Sequence, residues 1–211
     1  MSKVVLDATH FDSKARQWDS NPVFVECAEK IAAAIRAEVP LTRSMTALDY
    51  GCGSGLLSFP LRDQLGHITC KDTSAGMLDV LREKIAARGV GNMTVRQTDL
   101  TAAPLPDERY DLIYSSMTLH HIPDTAKILS VFHDLLTPGG HLCIADLDKE
   151  DGSFHGIEVD VHHGFDRQAL TRLTQAAGFV DVRFRTVFEI VKQKETGERA
   201  YPVFLMAARR A

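Results

Sequence analysis

Three glycines at alternate positions follow a short apolar segment that carries an acid, Asp49. The apolar segment, residues 47–50, predicts a buried strand, and residues 56–65 predict a helix. Glycine between the two lets the main chain turn sharply and lets a ligand approach the backbone at the carboxyl end of the strand. The sequence therefore predicts a ligand-binding loop. Its glycines are Gly51, Gly53 and Gly55.

The spacing of these glycines decides which ligand the loop suits. A dinucleotide-binding loop needs glycine at positions i, i+2 and i+5, and the third of these positions, counted from Gly51, is Leu56. The negative charge of Asp49, two residues before the loop, would also oppose a bound pyrophosphate. It would favour a ligand that carries an ammonium group and no phosphate. S-adenosylmethionine (SAM), in which adenosine is joined through a cationic sulfonium to an amino acid, is such a ligand.

Residues 48–55, Leu-Asp-Tyr-Gly-Cys-Gly-Ser-Gly, resemble motif I of the class I SAM-dependent methyltransferases. Four later segments resemble motifs of that family in the same order, so the resemblance extends over residues 47–148. It implies an α/β fold with a Rossmann-like, doubly wound sheet of seven strands, mostly parallel and ending in an antiparallel hairpin. It also implies a methyltransferase enzyme with SAM as its cofactor. The loop residues expected to contact SAM are Asp49, Gly51, Cys52, Gly53 and Gly55.

An acid also ends the second predicted strand. In an open parallel sheet the ligand lies beyond the carboxyl ends of the strands, where the strand order reverses. Asp72 can accept hydrogen bonds from both ribose hydroxyls there, although Asp72 or Ser74 could instead only cap the next helix. The segment that contains Asp72 and Thr73 resembles the second motif of the family. Met77, one turn into the next helix, is expected either to meet the adenine edge or to be a core residue.

Two further strand ends complete the expected cofactor site. Asp99 follows the third strand, where its carboxylate could accept from the adenine amine while the Leu100 amide meets a ring nitrogen. The alternative is an aspartate that only starts a turn. The segment after the fourth strand resembles the part of the family that runs beneath the methionine moiety of SAM, and Ser116 is expected to offer backbone contact there. His120 is expected at the cofactor, and His121 is expected to be structural.

Methyl transfer from a sulfonium is an in-line displacement that needs a positioned nucleophile and little water. Oxygen, nitrogen and carbon acceptors with weakly acidic protons also need a base, whereas a thiolate or thioether does not. Residues 149–165, rich in histidine and carboxylates, are expected to form a lid on the acceptor side. Histidine is suited to proton transfer near neutral pH, so His155 or His162 is predicted as the base. A lid without a chemical role and a metal site are the alternatives, but the ligand spacing matches no known pattern and no metal is predicted.

Composition and charge limit the class of protein. The chain has 211 residues, of which 45% are hydrophobic and 25% charged, as in an ordinary globular domain. Its net charge of −4 provides no basic field for nucleic acid. The N-terminus is too short in its apolar part for a signal peptide, and no apolar stretch has the length of a membrane span. We therefore expect a cytoplasmic protein that acts on a small molecule; the sequence does not predict an oligomeric state.

Two other interpretations of the same motifs are open. A nucleotide-dependent oxidoreductase would share the fold, but the glycine spacing and Asp49 argue against it. A SAM-binding protein without catalysis, acting as a sensor or a partner, would carry the same cofactor motifs. Methyl incorporation from SAM would separate this last class from an enzyme.

The elements that position these residues follow from the hydrophobic pattern. The sequence predicts one domain over residues 1–211, with an N-terminal helical extension over residues 1–45 and a catalytic core over residues 46–211. In the core, strands and helices alternate, which predicts a parallel sheet with helices on both faces. In the extension, residues 22–38 predict a helix, and two aromatic residues ahead of it either cover the cofactor cleft or only anchor the extension. These aromatic residues are Phe11 and Trp18.

The end of the predicted sheet is antiparallel. The fifth strand is predicted at residues 141–147, after a turn at residues 137–140. Residues 179–191 and 200–209 predict the last two strands. The loop between them, residues 192–199, is too short for a crossover helix, so these two strands must run antiparallel.

Overall fold

The structure, a computed structural model, describes residues 4–102, 104, 106–194 and 197–211. The strands are β1 (Thr46–Tyr50), β2 (His67–Asp72), β3 (Met93–Gln97), β4 (Tyr110–Ser116), β5 (Leu136–Leu147), β6 (Phe179–Lys194) and β7 (Gly197–Arg210). They form one sheet in the order β3-β2-β1-β4-β5-β7-β6. Strands β1 to β5 pair in parallel, and β7 runs antiparallel to both β5 and β6. The predicted fold class is confirmed.

Four of the helices are long, and each of these begins at a capping side chain. Asn21, Ser74, Asp124 and Asp166 each accept a hydrogen bond from a backbone N–H of the first turn, which such side chains do best. Among the described residues, no helix combines the length and apolar character that crossing a membrane would require. The helices are α1 (Ala8–Asp12), α2 (Ala15–Trp18), α3 (Pro22–Glu38), α4 (Ser58–Leu61), α5 (Ala75–Ala87), α6 (Thr125–Leu135) and α7 (Arg167–Ala176).

Two hydrophobic clusters cover the two faces of the sheet. Successive residues of β1 point to opposite faces, so that Ala47 joins one cluster and Leu48 the other. Ile35 of α3 belongs to the first cluster, whereas Phe132 of α6 and Leu170 of α7 belong to the second. Helices therefore shield both faces, as parallel strands require.

The helix after the glycine loop is shorter than predicted. In place of one helix over residues 56–65, the chain forms the four-residue α4 followed by a 3₁₀ turn at Arg62–Gln64. Pro60 lies in α4 and lacks the backbone N–H that a helix starting at residue 56 would pair with the carbonyl oxygen of Leu56, whereas in the first turn of a helix starting at Ser58 proline is tolerated. The loop therefore leads into a single tight turn rather than a full helix.

Strand β5 begins earlier than predicted, at Leu136 rather than His141. Leu136 pairs with Tyr110, and His141 pairs with Leu112, with a shift of register between the two pairs. Residues 137–140, expected to be a turn, fill this irregularity, and Gly139 has a φ of +79°. The turn residues are thus absorbed into the strand as a bulge.

The final hairpin is longer than predicted. Lys192 pairs with Arg199, and Gln193 pairs with Glu198, so most of the expected loop over residues 192–199 belongs to the strands. Antiparallel strands can continue pairing as far as a tight turn. The side chains of this exposed stretch are polar, so the hydrophobic pattern of the sequence did not indicate a strand there.

A chain of buried hydroxyl groups lies beneath the glycine loop. The Ser58 hydroxyl donates a hydrogen bond to Asp49 Oδ2 at 2.6 Å, and the Tyr114 hydroxyl lies 2.7 Å from Ser58 Oγ. Since Ser58 has one hydroxyl hydrogen, Tyr114 is the donor in the second bond. Asp49 is 2% exposed, and burial raises its pKa to about 7. The negative charge that the sequence analysis assigned to Asp49 is therefore only partly present at neutral pH.

Replacing Asp49 with Asn should change how stability depends on pH. Because the pKa of Asp49 rises from 3.8 to about 7 on folding, the folded chain keeps a proton there that the unfolded chain loses in this window. The free energy of unfolding of the wild type therefore falls through this window as pH rises. The change is on the order of a few kcal/mol, since one pKa unit corresponds to about 1.36 kcal/mol.

Asn does not titrate, so the Asp49→Asn protein should gain stability relative to the wild type between about pH 5 and about pH 8. Urea unfolding at the two pH values measures this gain. The matched control is Asp63→Asn, the same change at an exposed acid. A stability difference between Asp49→Asn and wild type that is equal at both pH values would contradict the prediction.

Candidate functional site

The glycine loop follows β1 and packs against the loop that follows β4, here called the β4 loop. Gly51 has a φ of +71°, and a Cβ added to it would lie 2.3 Å from two side-chain atoms of Thr118, so only glycine fits there. The Thr118 hydroxyl lies 3.3 Å from the carbonyl oxygen of Gly51 and 3.0 Å from that of Ser116. Thr118 was missed in the sequence analysis, because its type and position carried no signal of this contact.

Asp72 ties the glycine loop to the start of α5. Its Oδ2 accepts a hydrogen bond from the Gly53 N–H at 2.8 Å, and its Oδ1 accepts one from the Ser74 N–H at 2.9 Å. Burial raises the pKa of this carboxyl, and the backbone hydrogen bonds oppose the rise. Ser74 caps α5 as expected. Thr73 between them is exposed, and its carbonyl oxygen accepts a hydrogen bond from Gln97 Nε2 at 2.9 Å.

Met77 and Cys52 are turned inward. Met77 is 2% exposed, and its sulfur lies 3.9 Å from the position of a Cβ on Gly53. Cys52 is also buried, and burial raises the pKa of its thiol. The side chains of Met77, Cys52 and Asp49 are thus all buried near the loop.

The polar groups of the segment after β3 have more hydrogen-bond partners within the protein than the sequence indicated. Asp99 Oδ1 accepts hydrogen bonds from the Thr101 N–H at 2.8 Å and from its hydroxyl at 2.6 Å, which is the turn considered as the alternative. Leu100 is buried, and its backbone N–H is hydrogen-bonded to the Tyr50 hydroxyl. A ligand ring that met this amide would have to take the place of Tyr50.

Three segments of the chain bring the buried His120 and the half-buried His155 together. His120 Nδ1 lies 2.7 Å from Asp146 Oδ1 at the end of β5, and the His120 backbone N–H donates to Asp146 Oδ2 at 3.2 Å. On the other side of the ring, His120 Nε2 lies 3.0 Å from His155 Nε2. Asp146 was not among the predicted site residues. It could have been found by the signal that singled out Asp72, an acid at the carboxyl end of a strand.

These contacts bear on the expectation for His120. Its side chain is 2% exposed and is directed at Asp146 and His155, so it does not face the glycine loop. Its side chain is therefore engaged on both nitrogens, and a contact of His120 with the cofactor stays a prediction.

Two neighbouring histidines have strongly lowered pKa values. Burial and the nearby ring of His120 lower the pKa of His121 to about 2 and that of His155 to about 3. Both imidazoles are neutral in the physiological range. His121 also meets Phe11 edge to face, with 5.3 Å between ring centroids.

His162 does not join this cluster. Its Nε2 lies 3.0 Å from the Ile122 carbonyl oxygen and 3.2 Å from that of Pro123. A nitrogen shared by two carbonyl acceptors carries the hydrogen and cannot accept a proton. Through Nε2, His162 holds the loop after β4 in place. Its other ring nitrogen, Nδ1, then carries the lone pair, so a role of His162 as a base stays a prediction.

The N-terminal segment, residues 8–20, lies over the same end of the sheet. Asp12 accepts hydrogen bonds from the Ser74 hydroxyl at 2.6 Å and from the Gly76 N–H at 2.8 Å. Phe11 next to it reaches His121. Seven residues further along the chain, another acid holds the glycine loop. Asp19 accepts from the Ser54 hydroxyl and from the Lys84 ammonium group.

The segment thus spans the opening from α5 to the histidines. Of the two roles considered for its aromatic residues, covering the cleft agrees with the place of Phe11. Trp18 packs on Phe24 of α3, with 4.7 Å between ring centroids, so it anchors the segment. The two roles are divided between the two residues.

Comparison with known proteins agrees with this arrangement. A family model described as a methyltransferase domain matches residues 47–140. An uncharacterized methyltransferase of Mycobacterium bovis is 36% identical over 114 residues, which cover 53% of this chain and 55% of that protein. A ubiquinone biosynthesis O-methyltransferase of Serratia proteamaculans is 26% identical over 144 residues, covering 64% and 60%. The match thus spans little more than half the length of these relatives.

A solved structure shares the fold over nearly the whole chain. The SAM-dependent methyltransferase of Aquifex aeolicus superposes with a TM-score of 0.66 at 21% identity, covering 96% of this chain and 98% of that one. The sheet order, the glycine loop at its reversal point and the matched residues 47–140 lead to one conclusion. Residues 47–140 are similar to a methyltransferase domain, and the chain shares the fold of a SAM-dependent methyltransferase.

Proposed function

We propose that the chain transfers the methyl group of SAM to a small-molecule acceptor. One observation carries the proposal. The glycine loop contacts both Asp72 and the β4 loop, and these contacts lie between β1 and β4, where the strand order reverses. Ligands of open α/β sheets bind at such points. The acidic net charge and the O-methyltransferase relative from Serratia favour a small molecule over nucleic acid.

In the proposed complex, the cofactor lies across the loop and beneath the N-terminal segment. Asp72 accepts hydrogen bonds from the ribose hydroxyls with the lone pairs that Gly53 and Ser74 leave free, since each carboxylate oxygen has two. The adenine lies beside Asp99 and Leu100, with Thr73 and Met77 at its edge. The methionine moiety meets the backbone of the loop and of Ser116. The loop residues are Asp49, Gly51, Cys52, Gly53 and Gly55.

The reaction needs a nucleophile in line with the carbon–sulfur bond of the sulfonium. A lone pair of the acceptor forms a bond to the methyl carbon while the bond from that carbon to sulfur breaks. The electron pair stays on sulfur, which leaves S-adenosylhomocysteine as a neutral thioether. An acceptor hydroxyl or amine also loses one proton, which a protein group must take up or the solvent must receive.

We place the acceptor beside His155, under a lid formed by residues 149–165. His155 is half-buried between the lid and His120, and its low pKa keeps the imidazole neutral. A neutral imidazole can activate an acceptor by holding a metal ion that polarises it. It can also take the proton of the acceptor, although the low pKa of His155 makes it a weak base unless substrate binding raises that pKa. Both give His155 a role in the chemical step and none in cofactor binding.

Removing the Asp72 carboxylate should weaken binding of S-adenosylhomocysteine at least about tenfold. Hydrogen bonds to charged groups contribute about 1.5–3 kcal/mol each, and about 1.4 kcal/mol is a factor of ten. Asp72→Asn should do less harm than Asp72→Ala, because the amide oxygen still accepts. Calorimetric titration measures both. The matched control is Asp79→Ala, which removes an exposed acid of α5 paired with Arg82.

Thermal unfolding checks that the Asp72 variants remain folded, as the Ser74 cap of α5 should ensure. Wild-type affinity in a folded Asp72→Ala protein would place the cofactor elsewhere.

Replacing His155 with Gln should lower the maximal rate of methyl transfer and leave the affinity for S-adenosylhomocysteine unchanged. General acid–base groups contribute about 10²–10⁴-fold to such rates, and a loss in this range is expected. Transfer of labelled methyl groups from SAM into a mixed metabolite extract provides the assay. The control is His133→Gln, at a partly exposed histidine of α6. Equal rates in His155→Gln and wild type would remove the histidine from the chemistry.

A further inference from the structure

We propose that His120, His121 and His155 bind one divalent transition-metal ion, for which Zn²⁺ is the best match. Each of the three offers a ring nitrogen, and these nitrogens lie within 4.8 Å of one another. The rings are close together, with centroid distances of 4.1 Å, 5.0 Å and 5.4 Å. His120 and His121 come from the turn after β4 and His155 comes from the lid, so the site joins two separate parts of the chain.

The spacing of the nitrogens suits a tetrahedral ion. Zinc–nitrogen bonds of about 2.0–2.1 Å place two ligand nitrogens about 3.3 Å apart in a tetrahedral site. His120 Nε2 and His155 Nε2 are 3.0 Å apart, which is near this value. The nitrogen of His121 lies within 4.8 Å of the other two, so it must move closer to complete the set.

The surroundings of His120 are those of a metal ligand. Asp146, which is 0% exposed, accepts a hydrogen bond from the Nδ1–H of His120 at 2.7 Å. This bond fixes the tautomer, so that the lone pair of Nε2 points at His155. A carboxylate behind a ligating histidine is the arrangement that metal sites use to orient the ring and raise its basicity.

His121 supplies an independent observation. Among the described residues, its Nδ1 and the Nε2 of His163 are the buried side-chain polar atoms without a hydrogen-bond partner. Such atoms are rare in folded proteins, and each calls for a partner that the protein itself does not supply. Of these two histidines, only His121 stands beside other imidazoles that face the same point.

Three imidazoles restrict the ion and leave it one open position. Nitrogen ligands of this kind suit zinc, copper, iron and nickel rather than magnesium or calcium. Catalytic zinc sites have three protein ligands and hold water or substrate in the fourth position. Here the fourth position would take the hydroxyl or thiol of the acceptor and lower its pKa, so that its proton leaves before methyl transfer. This role rests on the proposed function, whereas binding of the ion does not.

The test begins with the full chain, stripped of metal by a chelator and titrated with Zn²⁺ in a calorimeter. We expect one ion per chain with a dissociation constant of about 1 μM or lower. Co²⁺ should bind at the same site and give the visible absorption of a tetrahedral cobalt complex. Absence of both signals would overturn the proposal.

Variants locate the site. His121→Gln and His155→Gln should each weaken zinc binding at least about 100-fold, and Asp146→Asn should weaken it about 10–100-fold. His133→Gln should bind zinc as the wild type does. Circular dichroism and thermal unfolding verify that each variant is folded, and His155, in the lid, carries the least risk. Zinc affinity in folded His121→Gln and His155→Gln equal to that of the wild type would overturn the proposal.

Titration of the metal-free chain with S-adenosylhomocysteine separates this proposal from the proposed function. Zinc binding without cofactor binding would support the metal site and refute methyl transfer. Cofactor binding without zinc binding would refute the metal site and leave His155 as a base.

Discussion

The two hydrogen bonds that Asp72 accepts from Gly53 and Ser74 hold the cofactor end of the sheet in one arrangement. Each bond ends on a different element, one on the loop after β1 and one at the start of α5. A carboxylate can accept several such bonds at once, and charge strengthens each of them. Because the loop is fixed relative to α5, Gly51 can also pack directly against Thr118 of the β4 loop. The opening between β1 and β4 follows from this single side chain.

Buried acids at the ends of the other strands are stabilised in different ways. Asp49, at the end of β1, has a hydroxyl group as its partner, and burial outweighs that bond, so its pKa rises. Asp146, at the end of β5, accepts from both the ring and the backbone N–H of His120. An acid that is buried without such partners would cost several kcal/mol. Aspartates at equivalent strand ends therefore have different roles. Asp49 supports the glycine loop, whereas Asp146 orients the ring of His120.

Much of the fold could be predicted because its signals are local. The glycine spacing, the capping residues Asn21 and Ser74 and the alternation along β1 each lie within a few residues of the structure they specify. Errors arose where a local signal was overridden. Helix α4 begins at Ser58 and has only four residues, and Gly139 forms a bulge in place of a turn.

The histidine cluster could not be assembled from the sequence. His120, Asp146 and His155 lie on three segments, and their spacing matches no short motif. Only the packing of the β4 loop against β5 and the lid brings them together. The two carbonyl partners of His162 could not be predicted for the same reason, since tertiary structure brings them to its ring.

The N-terminal segment has a consequence for the kinetics of the cleft. Helices α1 and α2 have five and four residues, too few to persist alone in water, so contacts with Ser54, Ser74 and Lys84 keep them ordered. Any molecule held between this segment and the loop exchanges with solvent only when those contacts open. A ligand bound beneath the N-terminal segment then stabilises its ordered form, and an ordered segment in turn strengthens binding of the ligand. Resistance of residues 8–20 to proteases therefore reports directly whether a molecule is bound at the glycine loop.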